Sequence, residues 1–331
     1  MARVNFVPTE PLTRSGATVI ARRWAAAARR VGFQVGRGAN NSTPVLRQIA
    51  RAEGALVVAG LPFDAADSQA IVDAVAASAG RRIVLWDRAG HAPGASADGL
   101  LGLDGIEEVW ILNELLAGAT RELFPSATVS TVPLAVPDGF LRVRPSQARR
   151  PYAAFLGRFS ATKGAPALAA TWASEVYPTT GLPLVLAGRG MEDGSGERQV
   201  AAIAEEHPRA VKTIRLMSES SRARFLASAV MVVFPGTDDY LPQALGEALG
   251  AGAVVVATDI VGYQPLARPG STSLLLDPGL GRLVEVVNEV LSDPASAAER
   301  VRAGRELVRA EHSVDVTGRR LLALLGTSSA A

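Results

Sequence analysis

Phe234-Pro235-Gly236-Thr237-Asp238-Asp239-Tyr240-Leu241-Pro242-Gln243-Ala244-Leu245-Gly246-Glu247-Ala248-Leu249-Gly250-Ala251-Gly252-Ala253-Val254-Val255-Val256-Ala257-Thr258 reads in one pass as the end of a strand, a polar loop, a helix and a second strand. The loop carries two carboxylates, and Pro242 stands where the helix opens, because its fixed φ suits a first helical turn. The helix closes at Gly252, and 253–257 is the unbroken apolar run expected of a parallel strand covered on both faces. Strand, crossover helix and strand make a parallel βαβ unit. The amides of that helix start, at the positive end of the dipole, suit a phosphate placed over the loop. Leu241, Pro242, Gln243 and Ala244 are therefore candidate ligand contacts. Glu247, one to two turns in, is a candidate to accept two vicinal hydroxyls of a ribose; the plainer alternatives make it a solvated helix residue and Asp239 a loop cap.

The same alternation extends in both directions. Downstream of residue 150, further strands are expected at 152–156, 183–187, 211–215, 231–234 and 273–276. Upstream, strands are expected at 3–7, 33–36, 55–59, 82–86, 108–112 and 128–132, with helices at 16–31, 43–52, 64–79 and 114–123. The fold class is therefore α/β, with two Rossmann-like doubly wound domains. At 331 residues the chain exceeds one hydrophobic core, since domains average about 150 residues. The stretch 133–151 is rich in proline and arginine and has little periodicity, so the linker falls there. The division is an amino-terminal domain over 1–140, a linker at 141–150, a carboxy-terminal domain over 151–315, and a helix and tail at 316–331 that returns to the first domain. Two such domains are expected to face a central cleft, with ligands outside the carboxyl ends of the strands.

Composition removes several function classes. The chain has no cysteine, which excludes disulfides, thiolate nucleophiles and cysteine-built metal cages. Its three histidines, His91, His207 and His312, are too scattered for a helical His-x-x-x-His metal site. A formal charge of +2, from 34 basic and 32 acidic residues, demands no nucleic-acid partner. No apolar run approaches the roughly 18 to 20 residues of a membrane span, and the first residues lack a secretory pattern. A cytoplasmic protein is expected.

The second chemical signal is Phe155-Leu156-Gly157-Arg158-Phe159-Ser160-Ala161-Thr162-Lys163-Gly164, read as a strand leaving the sheet into a glycine-flanked turn with two cations. Gly157 permits close approach of backbone to a ligand, Arg158 can grip a phosphate through two donors, and Lys163 adds a point charge. An ordinary strand-to-helix turn with solvated charges is the alternative. A dinucleotide site is disfavoured, because Gly188-Arg189-Gly190-Met191-Glu192-Asp193 lacks the third glycine of that fingerprint.

Taken together, the two segments resemble the retaining GT-B glycosyltransferases of family 4, the group 1 glycosyl transferases. That family carries Gly-Arg, an aromatic or aliphatic residue, three variable positions and Lys-Gly, and Gly157 to Gly164 matches throughout. It also carries Glu-x7-Glu before a small-residue helix end and a valine-rich strand. Here Asp239 and Glu247 make the pattern Asp-x7-Glu, shorter in reach at the first acid by one methylene, about 1.5 Å; an alignment through Asp238 is the alternative. The loops at 259–266 and 271–278 resemble the family loosely. The resemblance implies that Arg158 and Lys163 bind the donor diphosphate, that the first acid contacts the transferred sugar, that anomeric configuration is retained and that no metal is obligatory. The donor implied is a nucleotide-diphosphate sugar, such as a UDP- or GDP-sugar, and the acceptor a small molecule, a glycan or a lipid-linked species.

The first half resembles the family more weakly. Ser15-Gly16-Ala17 takes the place of its glycine-rich loop, with Gly16 near the diphosphate; a plain helix start is the alternative. His91, in the glycine-rich loop 88–105, is a candidate contact for sugar or acceptor, against a solvated loop histidine. The helix at 16–31 sets Ile20, Trp24, Ala27 and Val31 on one stripe and Arg22, Arg23, Arg29 and Arg30 on another face. Basic amphipathic helices of that kind bind anionic membranes, but the first helix of any Rossmann-like half looks similar, and peripheral membrane contact is not the favoured reading. Catalysis in this reading consists of stabilising the charge that grows on the departing nucleotide diphosphate. A nucleotide-sugar epimerase, a pseudo-glycosyltransferase and a catalytically silent nucleotide-sugar-binding protein are the alternatives.

Overall fold

A computed structural model describes residues 2–8, 16–36, 45–50, 52–59, 71, 73–78, 80–86, 106–146, 150–190, 194–215 and 218–326. His91 with its loop, Ser15 and most of the helix expected at 64–79 lie outside these residues. The chain divides into two compact units, Met1–Ala135 with Glu311–Ala331, and Val136–Ala310. Each is built on a parallel six-stranded sheet, as the alternation of apolar runs and helices predicts. No helix among the described residues is long and apolar enough to cross a membrane.

In the first unit the strands are β1 (Arg3–Pro8), β2 (Gln34–Val35), β3 (Ala55–Ala59), β4 (Arg82–Trp86), β5 (Glu108–Ile111) and β6 (Thr128–Thr131), in the order β2-β1-β3-β4-β5-β6. Leu56, Val57, Val58, Ile83, Val84, Leu85, Val109, Trp110 and Ile111 are all buried, which is why these strands read as continuous apolar runs. The helix Gly16–Arg30 places Ile20, Trp24 and Ala27 in the core. Trp24 meets Trp110 edge to face at 5.8 Å and donates its indole N–H to the Pro133 carbonyl at 2.9 Å. The apolar stripe is thus occupied by core packing, and Arg30 pairs with Asp315 at 2.8 Å. The helix Val314–Gly326 lies against Gly16–Arg30. Gly318 permits that approach: a Cβ there would sit 2.9 Å from Val31 Cγ1 and 3.0 Å from the Ala27 carbonyl. Thr317 secures it by donating to the Leu134 carbonyl at 2.9 Å.

In the second unit the strands are β7 (Ala153–Phe159), β8 (Leu184–Gly190), β9 (Val211–Ile214), β10 (Met231–Phe234), β11 (Val254–Thr258) and β12 (Ser273–Leu276), in the order β12-β11-β10-β7-β8-β9. Phe155, Trp172, Leu184, Leu186, Met231, Val233, Val254 and Val256 anchor its core. β7 and β8 run further than expected, pairing Gly157 with Gly188, Arg158 with Arg189 and Phe159 with Gly190. A Cβ on Gly188 would overlap the Gly157 carbonyl oxygen, so the facing glycines let the ladder continue. Gly157 and Arg158 therefore belong to the strand, and the turn begins only at Ser160. The sequence runs outward from the centre of the sheet in both directions, β7-β8-β9 one way and β10-β11-β12 the other. The loops after β7 and β10 consequently emerge side by side where the strand order reverses, the place where open α/β sheets bind ligands.

Candidate anion-binding site of the second unit

The turn Ser160 to Gly164 is closed by its own side chains. Ser160 Oγ lies 3.1 Å from Thr162 Oγ1 and accepts from the Lys163 amide at 3.3 Å, and the Gly164 amide donates to the Ala161 carbonyl at 2.9 Å. Gly164 has φ +72°, and a Cβ there would lie 2.5 Å from the Pro235 carbonyl oxygen. Only glycine meets both demands, the left-handed backbone and the close approach. The Thr237 amide donates to the Thr162 carbonyl at 3.0 Å, tying the loop after β7 to the loop after β10.

Two more segments join this edge. The helix Ser195–Glu206, which follows β8, begins so close to the end of β7 that a Cβ on Gly196 would overlap the Phe159 carbonyl oxygen. After β11, Thr258 donates its hydroxyl to the Gly236 carbonyl, and the Tyr263 hydroxyl rests against Gly236. A Cβ on Gly262 would overlap the Asp239 carbonyl oxygen. The loops after β7, β10 and β11 are thus one hydrogen-bonded and close-packed layer.

On this layer Arg158 is exposed at the end of β7. Lys163 Nζ lies 2.5 Å from Asp239 Oδ2, with the two side chains 19% and 10% exposed. Asp239 Oδ1 also accepts from the Tyr240 amide at 2.9 Å. The helix Gln243–Ala251 starts after Pro242, which has extended backbone and caps it with no side-chain hydrogen bond. Leu241 is buried, while Pro242, Gln243 and Ala244 are half-buried. Glu247 is only 4% exposed and pairs with Arg222 Nη2 at 3.1 Å. The alternative of a solvated glutamate therefore does not hold. Arg222 lies on the helix Glu219–Ser228 with its guanidinium carbon 5.8 Å from the centre of the Phe140 ring.

The structure brings Gly157, Arg158, Lys163, Asp239 and the start of Gln243–Ala251 to the carboxyl edge of one sheet. Gly16 is the first residue of its helix in the other unit. Arg222 and Tyr263 were not legible beforehand. An arginine within Ser-Ser-Arg-Ala-Arg looks like a solvated helix charge, and a lone loop tyrosine carries no spacing signal. The Tyr263 pKa is pushed well above the usual phenol value, first by burial and then by the Asp239 charge, so its hydroxyl stays protonated. An arginine, a lysine and an uncapped helix start on a rigid layer form a surface suited to a phosphorylated ligand.

Residues 150–293 match the family model described as Glycosyl transferases group 1. This segment contains Arg158, Lys163, Arg222, Asp239, Glu247 and Tyr263. The alpha-maltose-1-phosphate synthase of Mycolicibacterium smegmatis is 30% identical over 168 residues, which is 47% of this chain and 43% of that protein. The chain therefore matches less than half of that relative's length. The fold is shared along nearly the whole chain with the sucrose-phosphate synthase of Thermosynechococcus elongatus, at TM-score 0.79 and 15% identity, covering 99% of each chain. It is shared equally with Anabaena HepE in complex with UDP-glucose, at TM-score 0.78 and 13% identity, covering 99% of this chain and 100% of that one. TarM of S. aureus aligns at TM-score 0.67 and 13% identity, covering 82% of this chain and 55% of that one. The fold is accordingly that of the GT-B glycosyltransferases.

Proposed function

We propose that this protein is a glycosyltransferase that takes a sugar from a nucleotide-diphosphate donor, with retention of configuration, and passes it to a small-molecule, glycan or lipid-linked acceptor. The observation that carries the reading is the meeting of the Gly157 to Gly164 segment with the loop that leads from β10 into the helix Gln243–Ala251, at the switch point of the second sheet and within the segment that matches the group 1 family. Arg158 grips the diphosphate with two donors, Lys163 adds a point charge, and the helix start contributes backbone amides. Such fixed donors act most strongly on the charge that develops as the bond between sugar and diphosphate breaks. Glu247, held by Arg222, is the group for the ribose hydroxyls. Gly16 and His91 are assigned to the first unit's share of the donor and acceptor contacts. The donor carries the reactive group itself, and no further cofactor enters this mechanism. UDP is the first nucleotide to test, because HepE was crystallised with UDP-glucose.

The test is a thermal-shift and titration screen against UDP-, GDP- and dTDP-sugars, since a ligand that binds the native state raises its melting point. At least one is expected to stabilise the protein, and Arg158→Ala or Lys163→Ala is expected to lower turnover by about a hundredfold or more. Near-normal rates in either variant discard the assignment. Binding of a nucleotide-sugar without transfer or hydrolysis would make the chain a silent binding protein, the reading favoured by the engagement of Asp239 with Lys163.

A further inference from the structure

Glu247 is the buried acid of the helix Gln243–Ala251, and what holds its carboxylate comes from two other elements. Oε1 accepts from Arg222 Nη2 at 3.1 Å. Arg222 stands in the first turn of the helix Glu219–Ser228, which Ser218 fixes: its hydroxyl accepts from the Ser221 amide at 3.2 Å and its carbonyl from the Arg222 amide at 3.0 Å. The guanidinium carbon lies 5.8 Å from the centre of the Phe140 ring, within cation–π range. Arg222 Nε is buried and has no hydrogen-bond partner among the described residues, so the ring and the carboxylate orient the group. Phe140 is itself fully buried, on the short helix Asp138–Arg142. That helix lies close against Gln243–Ala251, where a Cβ on Gly250 would stand 3.4 Å from Val136 Cγ1 and 3.6 Å from Leu141 Cδ2. A buried carboxylate without a counter-charge is costly, and a nucleotide diphosphate bound beside it would add negative charge. Arg222 answers both demands. A carboxylate accepts about four hydrogen bonds in all, so a guanidinium on one oxygen is compatible with hydroxyls on the same group.

We propose that Arg222 is the positioning residue of the nucleotide site: seated on Phe140, it fixes the Glu247 carboxylate for the two vicinal hydroxyls of a ribose. It thereby sets a preference for a ribonucleoside diphosphate over the deoxyribose counterpart, which lacks one of those hydroxyls. The inference rests on the nucleotide-sugar reading above. Arg222 acts through Glu247 and touches no ligand. Phe140 becomes a second residue on which the preference depends, although it precedes the segment that matches the group 1 family.

UDP and dUDP differ by one hydroxyl of the sugar ring, so the ratio of their dissociation constants reads the carboxylate directly; GDP with dGDP serves in parallel. Titrations use the full-length protein, with the unliganded melting temperature of each variant as the folding control. The wild-type protein is expected to bind UDP or GDP about tenfold or more tighter than its deoxy partner, as for one hydrogen bond to a charged group. Arg222→Met is expected to weaken the ribonucleotide and to bring the ratio below about threefold. Phe140→Leu should lower the ratio at unchanged charge, and Arg222→Lys should restore part of it, since an ammonium pairs with the carboxylate but lacks the planar fork. In a Glu247→Gln background Arg222→Met is expected to change the ratio by less than about twofold, because coupled residues are not additive. A merely structural effect weakens both nucleotides alike, so an unchanged ratio in Arg222→Met overturns the proposal. If that variant does not fold, Arg222→Gln decides by the same criterion. A wild-type protein that binds neither pair overturns the nucleotide-sugar reading and this inference with it, whereas one that binds nucleotides without distinguishing ribose from deoxyribose overturns this inference alone.

Discussion

Gly164 carries the most stringent single-residue demand at the site. Its φ of +72° is a conformation that L side chains adopt at about 1–2 kcal/mol. The Pro235 carbonyl, 2.5 Å from where a Cβ would stand, adds overpacking to that strain. Gly164→Ala is expected to destabilise the protein by about 2–4 kcal/mol, read as a fall in the urea midpoint with the slope unchanged. Gly164 was legible in the sequence because its role is local: the turn requires it. Arg222 was not, because it acquires its role only from a partner 25 positions away, Glu247, which the topology delivers. Half-buried Tyr152 and buried Tyr263 also set a pH limit. Burial pushes the Tyr152 phenol up to about 12, and Tyr263 is raised further still. The folded state then holds protons that an unfolded phenol gives up near its ordinary pKa of 10.0, so stability falls as pH rises above that value. Urea midpoints measured from pH 9 to 11.5 should decline, and Tyr152→Phe should flatten the decline; an equal slope in that variant refutes the assignment.

At the scale of elements, strands were the most legible feature, since a strand covered on both faces must be apolar and 55–59, 83–86 and 231–234 are unbroken apolar runs. The far ends of β7 and β8 escaped the reading because glycine and arginine there carry no strand signal. What extends them is the absence of side chains at Gly157 and Gly188, which is visible only when the two strands lie side by side. A different device fixes the end of the helix Gln243–Ala251. Arg305, on the helix Pro294–Glu311, donates Nη1 to the Val143 carbonyl at 3.1 Å and the Ala251 carbonyl at 3.3 Å, and Nη2 to the Leu141 carbonyl. One guanidinium thus serves the carboxyl-terminal carbonyls of two helices, where cations are favoured by the dipole. Arg305→Met is expected to lower the stability of the second unit by about 2–4 kcal/mol, because it strands part-buried carbonyls as well as removing charged hydrogen bonds. Arg305→Lys should recover only part of this, since an ammonium cannot reach all three acceptors. Denaturant melts followed by Trp172 fluorescence in a variant with the other three tryptophans replaced would measure both.

At the scale of the molecule, the second unit is one continuous stretch, Val136–Ala310, whereas the first is assembled from Met1–Ala135 and Glu311–Ala331. The joint in the first unit is the contact of Val314–Gly326 with Gly16–Arg30, made possible at Gly318 and secured by Thr317. Gly318→Val should overpack it by about 1–3 kcal/mol and raise amide exchange along Gly16–Arg30 while leaving β7 and β10 protected. Uniform loss of protection in both units would contradict that division. The discontinuity also has a consequence for how the molecule is made. A ribosome adds residues in order, and contiguous domains fold as they emerge. Here residues up to Ala135 must wait for residues from Glu311 onward, so the second unit is complete while the first still exposes the surface that Val314–Gly326 will cover. Stalled nascent chains ending near residue 310 should therefore present a folded second unit and a protease-sensitive amino-terminal segment.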